Sequence, residues 1–229
     1  MRNYFRYFIY LYVFIGFSCA KAGAYEDFFK AIHFDREQEL AQLIERGMDP
    51  NTPNEKGVPA IIVALTSDAP KSALLLAKHP KTKLEVENSL NETPLMLAAY
   101  HNHLTVCEVL IERETAVNRK GWTPLHYAAT KGNIAIMRLL LQENAYIDAE
   151  SPNGTTPLMM AAYYAPPNAV KLLLEEGADP NLRNQGNASA LDLALTAERH
   201  QSALYIRAFI EAWEVQEIHE REAAEAESR

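Results

Sequence analysis

The chain has 229 residues, with 22 cationic and 30 acidic side chains and a formal net charge of −8 at pH 7. An acidic surface repels phosphate backbones and anionic lipid, so this balance excludes a nucleic acid or an anionic membrane as the main partner. Its first 22 residues are unlike the rest. Arg2 and Arg6 form a basic start, Tyr7–Phe17 is an uncharged apolar run, and Ser18-Cys19-Ala20-Lys21-Ala22 places small residues at cleavage spacing. That is the form of a secretory signal peptide. A run of about 11 residues is short against the ~20 that span a bilayer, so membrane attachment is expected only if the leader stays uncleaved. Gly16 and Phe17 are poor upstream residues for lipidation at Cys19. Cleavage after Ala22 removes three cations (Arg2, Arg6, Lys21) and no carboxylate, which takes the net charge from −8 to −11. It leaves Cys107 alone and without an internal disulfide partner, a state as compatible with a bacterial periplasm as with a cytosol. The expectation of a periplasmic or secreted location therefore rests on the leader.

Beyond the leader, Tyr25–Arg46 reads as a helix pair that ends in Gly47-Met48-Asp49-Pro50-Asn51. Three heptapeptides follow: Thr93–Ala99 (TPLMLAA), Thr123–Ala129 (TPLHYAA) and Thr156–Ala162 (TPLMMAA), with their prolines 30 and 33 residues apart. Self-similarity at that period predicts a helical solenoid. The unit is clearest from Lys120 to Ala149. Gly121 offers a turn, Thr123 an N-cap and Pro124 a first helical position. Leu125, Ala128 and Ala129 share one face of a short helix, and Lys131-Gly132-Asn133 breaks it. Ile134, Ile136, Met137, Leu140 and Leu141 form the stripe of a second helix, and Asn144 sits where a left-handed C-terminal residue is needed.

This unit resembles the ankyrin repeat, a turn plus two antiparallel helices with a T-P-L-H-x-A core. Thr123–Ala129 keeps the core, Gly132 keeps the inter-helix glycine, and Gly177-Ala178-Asp179-Pro180-Asn181 keeps the G-A-D-x-N ending. Two weaker copies extend the array. Val58–Ala64 lies 35 residues before the Pro94 motif, with Pro59 in the proline place and no threonine cap. Ser189–Ala194 lies 33 residues after Pro157, with Ala190 in the proline place. The implied fold is all-α, an ankyrin-repeat solenoid of stacked helix-turn-helix units. The expected layout is a signal peptide over 1–22, a repeat domain over 23–215, and an acidic C-terminal tail over 216–229. Within the repeat domain a capping pair covers 25–51, units lie near 52–86, 87–118, 119–149 and 150–182, and a closing unit covers 183–215. Two departures stand out. The second unit is about three residues short before Lys120-Gly121, which predicts a tighter loop there. The fourth unit turns on Ala165-Pro166-Pro167-Asn168, two prolines that stiffen the turn and remove donors. Local geometry is the favoured reading of both.

Catalytic signatures are missing from the sequence: it holds no G-x-S-x-G, Walker loop, H-E-x-x-H or dinucleotide fingerprint. His101-Asn102-His103 is the one close histidine pair, but the alignment puts Asn102 at the inter-helix glycine place. Without a third ligand the pair reads as a turn rather than a metal site. His126 belongs to the repeat motif, and the resemblance implies structural hydrogen bonds for it. Cys107 lies in an apolar stripe with Val106, Val109 and Leu110 and is expected to be buried.

The resemblance implies a non-enzymatic module, without cofactor or metal, that binds a protein partner as a monomer. In similar proteins the partner touches the finger tips and the inner face of the first helices. Those positions are Ser89, Leu90, Glu92, Tyr100 and His101 in the second unit, and Arg119, Lys120, Trp122, Thr130 and Lys131 in the third. In the fourth they are Pro152, Asn153, Thr155, Tyr163 and Tyr164. Tyrosines, a tryptophan and cations gathered on one predicted face are the residue types that dominate interface hot spots. The alternatives are a secreted effector or toxin-neutralising protein using the same surface, and a hydrolase or metal-binding protein using His101 and His103.

Overall fold

The computed structural model describes residues 23–227, so the leader expected over 1–22 lies outside the described residues. The chain divides into two compact units, one ending at Pro94 and the other beginning at Leu95. Among the described residues both are built from short helices, apart from a long last helix in the second, and β-structure is confined to isolated bridges at two fingers, Pro53 to Pro59 and Arg183 to Ser189.

In the first unit, α1 covers 23–33 and is followed by α2 (Glu37–Glu45), α3 (Ala60–Thr66) and α4 (Pro70–Lys78). The pair expected over Tyr25–Arg46 is therefore present. Its turn is made by Asp35 in the left-handed region at φ 52°. The Asp35 carboxylate accepts from Ser72 N at 2.8 Å and Lys71 N at 3.3 Å, and so satisfies orphan donors in the first turn of α4. Phe28, Ile32, Leu40, Ile61, Ile62, Leu65 and Leu76 form a fully buried core. One register differs from expectation. Pro59 is the residue before α3, extended at ψ 145°, and α3 begins at Ala60. Pro59 thus stands in the threonine place rather than the proline place. Proline has no side-chain acceptor for a cap, and its preset φ suits the entry equally well.

The second unit holds α5 (Pro94–Tyr100), α6 (Leu104–Glu112), α7 (Pro124–Lys131), α8 (Ile134–Gln142), α9 (Pro157–Tyr164), α10 (Pro167–Glu175), α11 (Ala190–Thr196) and α12 (His200–Glu227). First helices pack on first helices, α7 on α9 and α9 on α11. Second helices pack likewise, α6 on α8, α8 on α10 and α10 on α12. The residue types explain the boundaries. Thr156 accepts from Met159 N at 3.3 Å and Ser189 from Asp192 N at 3.2 Å, each capping a first helix. Asn102 (φ 61°), Gly132 (φ 70°) and Glu198 (φ 54°) turn the chain between helices, and Asn144 (φ 61°) closes α8.

The Pro166-Pro167 turn proves to be a packing device. A Cβ added at Gly132 would lie 2.7 Å from Pro166 Cδ, so the fourth unit's proline ring occupies the space that the third unit's glycine leaves. The short finger of the third unit is held by Asn118. Its amide donates to Asn144 O at 2.7 Å, and its oxygen accepts from Tyr146 N at 2.8 Å.

The segment expected as an acidic tail continues the last helix. α12 continues to Glu227, through all but the last two residues of the 216–229 segment. Glu, Ala and Arg crowd that stretch and are strong helix formers, so a helix already nucleated over 200–215 propagates through it by local propensity. Ala203 and Ile206 anchor it in the core, Phe209 is half-buried, and Trp213 is 39% exposed.

Candidate functional site

The expected contact residues of the second unit are brought into two clusters and one covering contact. At the end of α5 the Tyr100 ring meets His101 at 5.2 Å and Tyr127 of α7 edge-on at 6.2 Å. Lys131, exposed in the last turn of α7, sets its ammonium 4.5 Å from the Tyr100 ring centroid. That distance is a cation–π contact, with the charge on the electron-rich face. The second cluster is Tyr163 with Tyr164, whose rings lie 4.6 Å apart at the end of α9. Tyr164 is 53% exposed, and its carbonyl is held by Arg199 Nη2 at 2.9 Å. Trp122 is half-buried and turns its ring edge-on to His126 at 5.2 Å. It shields a core histidine as well as lining the finger.

Other predicted contacts carry structural duties too. Thr130 Oγ1 donates to His126 O at 2.7 Å, one helical turn back. Pro152 is exposed, yet its ring lies 3.6 Å from where a Cβ on Gly121 would be, and its carbonyl accepts from Gln185 Nε2 at 3.0 Å. The Asn153 carbonyl accepts from Gln185 N at 2.9 Å, and its exposed side chain is steadied by Ser151 Oγ at 2.5 Å. Lys120 is exposed and Arg119 half-buried at the third finger, whereas Thr155 is buried. Ser89, Leu90 and Glu92, although part of the second repeat, belong to the compact unit that ends at Pro94. There Leu90 is 73% exposed, and Glu92 accepts from Asn88 Nδ2 at 2.6 Å.

Behind this face sits His126, fully buried. Thr123 N donates to its Nδ1 at 3.2 Å, which assigns the proton to Nε2, and Nε2 then donates to Thr155 O at 2.9 Å. Burial pushes the imidazole pKa down to about 4, against the pull of the Thr155 carbonyl. The ring is therefore a neutral strut between the third and fourth units. Its expected role in structural hydrogen bonding holds. The His101 and His103 rings are near-parallel at 5.9 Å, with Asn102 left-handed between them and His103 at the N-cap of α6. This is turn geometry. Among the described residues no group of three or more His, Cys, Asp or Glu is placed to hold a metal ion. Cys107 is buried, and desolvation pushes its thiol up to about 12, out of the range of reactive thiolates. Among the described residues no helix is long and apolar enough to cross a membrane.

Two features lay beyond the sequence reading. Tyr127 occupies the variable position of the T-P-L-H-x-A core, where the motif carries no information. In the first unit, Tyr25, Phe29, His33 and Phe34 of α1 and its turn, with Val63 and the finger over 54–56, line an open groove of about 550 Å³. Phe34 is 62% exposed there, with the Arg36 guanidinium 5.2 Å over its ring. The spacing of Tyr25, Phe29 and His33 at every fourth residue was the available signal.

Comparison with known proteins agrees with this geometry. The family model described as Ankyrin repeats matches in three overlapping stretches, 74–151, 115–184 and 145–208, which together cover more than half of the chain. Protein fem-1 homolog A-like of Mus musculus is 37% identical over 105 residues, 44% of this chain and 16% of that protein. Putative palmitoyltransferase ZDHHC13 of Danio rerio is 31% identical over 142 residues, 58% of this chain and 21% of that one. Ankyrin repeat and SAM domain-containing protein 6 of Mus musculus is 40% identical over 80 residues, 34% of this chain and 9% of its own length. The chain thus spans about a fifth or less of the relatives it matches.

Proposed function

The chain belongs to the ankyrin-repeat family, whose repeats are protein–protein interaction modules, and on that premise we propose a non-enzymatic binding protein, exported through its leader to a bacterial periplasm. Its partner is a protein, held on the finger tips and first-helix ends of the second unit. The observation that carries this reading is the pair of aromatic clusters, Tyr100–Tyr127 under Lys131 and Tyr163–Tyr164. An exposed tyrosine brings large, rigid apolar area with a polar tip, and a lysine over a ring brings a charge whose attraction to the ring strengthens as water leaves the face. Lys131 beside its ring and, at the neighbouring finger, Lys120 are exposed cations on a chain of net charge −8, which favours an acidic partner.

The test is affinity capture by the exported protein. Weighed by mass spectrometry, it is expected to begin near Gly23. Lys131→Ala with Tyr164→Ala removes two exposed side chains, each outside the core, and avoids Trp122, which shields His126. Hot-spot aromatics are each worth about 2 kcal/mol or more, on the order of thirtyfold in affinity. The double variant should lose capture while keeping the wild-type melting temperature, and the wild-type complex should weaken with salt. Capture unchanged in the double variant would move the contact elsewhere, with Phe29→Ala and Phe34→Ala in the first unit's groove as the next pair to examine.

A further inference from the structure

In three of the repeat endings the last residue, Asn51, Asn118 or Asp148, reaches across to the next ending. Asn51 Nδ2 donates to Lys81 O at 2.8 Å, and its Oδ1 accepts from Lys83 N at 2.8 Å. Asn118 repeats the pattern within the second unit, donating to Asn144 O at 2.7 Å and accepting from Tyr146 N at 2.8 Å. A carboxamide suits the place because it carries a donor and an acceptor side by side. The third ending carries a carboxyl group instead. Asp148 has both oxygens 3.2 Å from Asp179 N, symmetrically, where each asparagine gives one oxygen to the N–H and turns its amide to the carbonyl two residues earlier. For Asp148 that carbonyl is Gly177 O.

We propose that Asp148 is a proton-dependent link between the third and fourth units: protonated, it donates to the Gly177 carbonyl as the asparagines donate to theirs, and ionised it keeps only the Asp179 N–H. Burial holds the Asp148 carboxyl above the usual aspartate range, and the neighbouring Asp179 carboxylate adds to the rise against the pull of the Asp179 N–H. The charge that acts on it, the Asp179 carboxylate, repels it. On its own loop Glu150 is exposed, and on the facing loop Glu176 is held by Arg138 at 3.5 Å and Arg183 by Asp192 at 3.0 Å. His126, which shares the Ala149 backbone next door, is neutral. The sign follows from linkage. A carboxyl whose pKa is raised on folding binds its proton more tightly in the folded state, so this link strengthens as pH falls toward the folded pKa and weakens above it. The finger that starts at Glu150 carries Pro152 and Asn153, so the device tunes how firmly one edge of the candidate binding face is mounted.

Melting curves of the chain at pH 7.5 and pH 4 test this, always as differences between variant and wild type at one pH. Asp148→Asn supplies the missing donor permanently. It should raise the melting temperature by about 2 °C or more at pH 7.5, with the gain shrinking toward pH 4. Asp148→Ala, which removes the acceptor as well, should lower it at both pH values. Glu150→Gln removes the same charge from the same loop, and Asp179→Asn removes the repelling neighbour. Neither should match the Asp148→Asn gain. A carboxyl NMR titration should place Asp148 above the ordinary aspartates. The proposal is overturned by no gain at pH 7.5, by an equal gain at both pH values, by a gain that Glu150→Gln or Asp179→Asn reproduces, or by an ordinary titration of Asp148.

Discussion

Gly132→Ala adds one methyl group at the most crowded turn of the second unit, and the structure separates two ways in which it does harm. The residue sits at φ 70°, a left-handed conformation that costs a non-glycine residue roughly 1–2 kcal/mol. The new Cβ would lie 2.7 Å from Pro166 Cδ and 3.4 Å from Ala165 Cβ. The proline ring is rigid and its neighbour starts α10, so the contact is relieved only by moving backbone, which typically costs a further 1–3 kcal/mol. The sum is about 2–5 kcal/mol, and at ~2–4 °C per kcal/mol for a chain of this size the melting temperature should fall by about 4–20 °C. Gly177→Ala is the matched control. It sits at φ 96° with nothing within 4 Å of its added Cβ, so only the conformational part applies and a fall of a few degrees is expected. Adding Pro166→Ala to Gly132→Ala should recover the steric part and leave the strain. Differential scanning calorimetry of the four proteins decides the matter. If Gly132→Ala melts no lower than Gly177→Ala, the reasoning from the Pro166 contact is wrong.

Two other outcomes follow from the core of the same unit. His126 is neutral when folded and has a pKa of about 4 against 6.5 unfolded, so its contribution is complete above about pH 6.5 and is lost progressively down to about pH 4, by about 3 kcal/mol in all. The melting-temperature gap between wild type and His126→Gln should therefore narrow across that window and stay constant above it. Leu140 is fully buried in α8, so Leu140→Asp should cost roughly 3 kcal/mol or more. It should melt α7 and α8 together with their neighbours, because each repeat is stabilised by the next. Circular dichroism that loses only one pair's worth of helix would contradict that coupling.

Much of this architecture was legible because repeats print the same physics several times. Thr123, Pro124 and Asn144 each sit where a cap, a first helical position or a left-handed residue is required, and local chemistry alone identifies them. The contacts that escaped are those between positions with no shared local signature. Pro166 filling the space beside Gly132 joins two residues 34 apart, and neither proline nor glycine reports its neighbour. The register of Pro59 was missed because proline fits both the residue before a helix and its first position, and only the start of α3 at Ala60 separates them. The helical run to Glu227 has only composition to announce it, because a stretch rich in Glu and Ala extends a helix by propensity without an apolar pattern. For the candidate site, the positions were readable and their duties were not. Thr130, Pro152 and Trp122 lie on the expected face, yet each also supports a neighbour.

The asparagine links also say which part of the chain is free to change length. Asp148 reaches Asp179, 31 positions on, whereas Asn118 reaches Tyr146 only 28 positions on, yet both make the same kind of bond at the same place in the stack. The three missing residues fall between Asn118 and Thr123, in the finger, and neither the link before them nor the capped helix after them is disturbed. Insertions and deletions at the finger tips are thus decoupled from the register of the helices, and closing a loop a few residues longer adds only a fraction of a kcal/mol. A lineage can change the length of the tips around 119–121 or 152–154 and present a new surface on the same scaffold, as long as Trp122 and Pro152 keep the neighbours they support. The same positions are where a foreign recognition loop could be grafted.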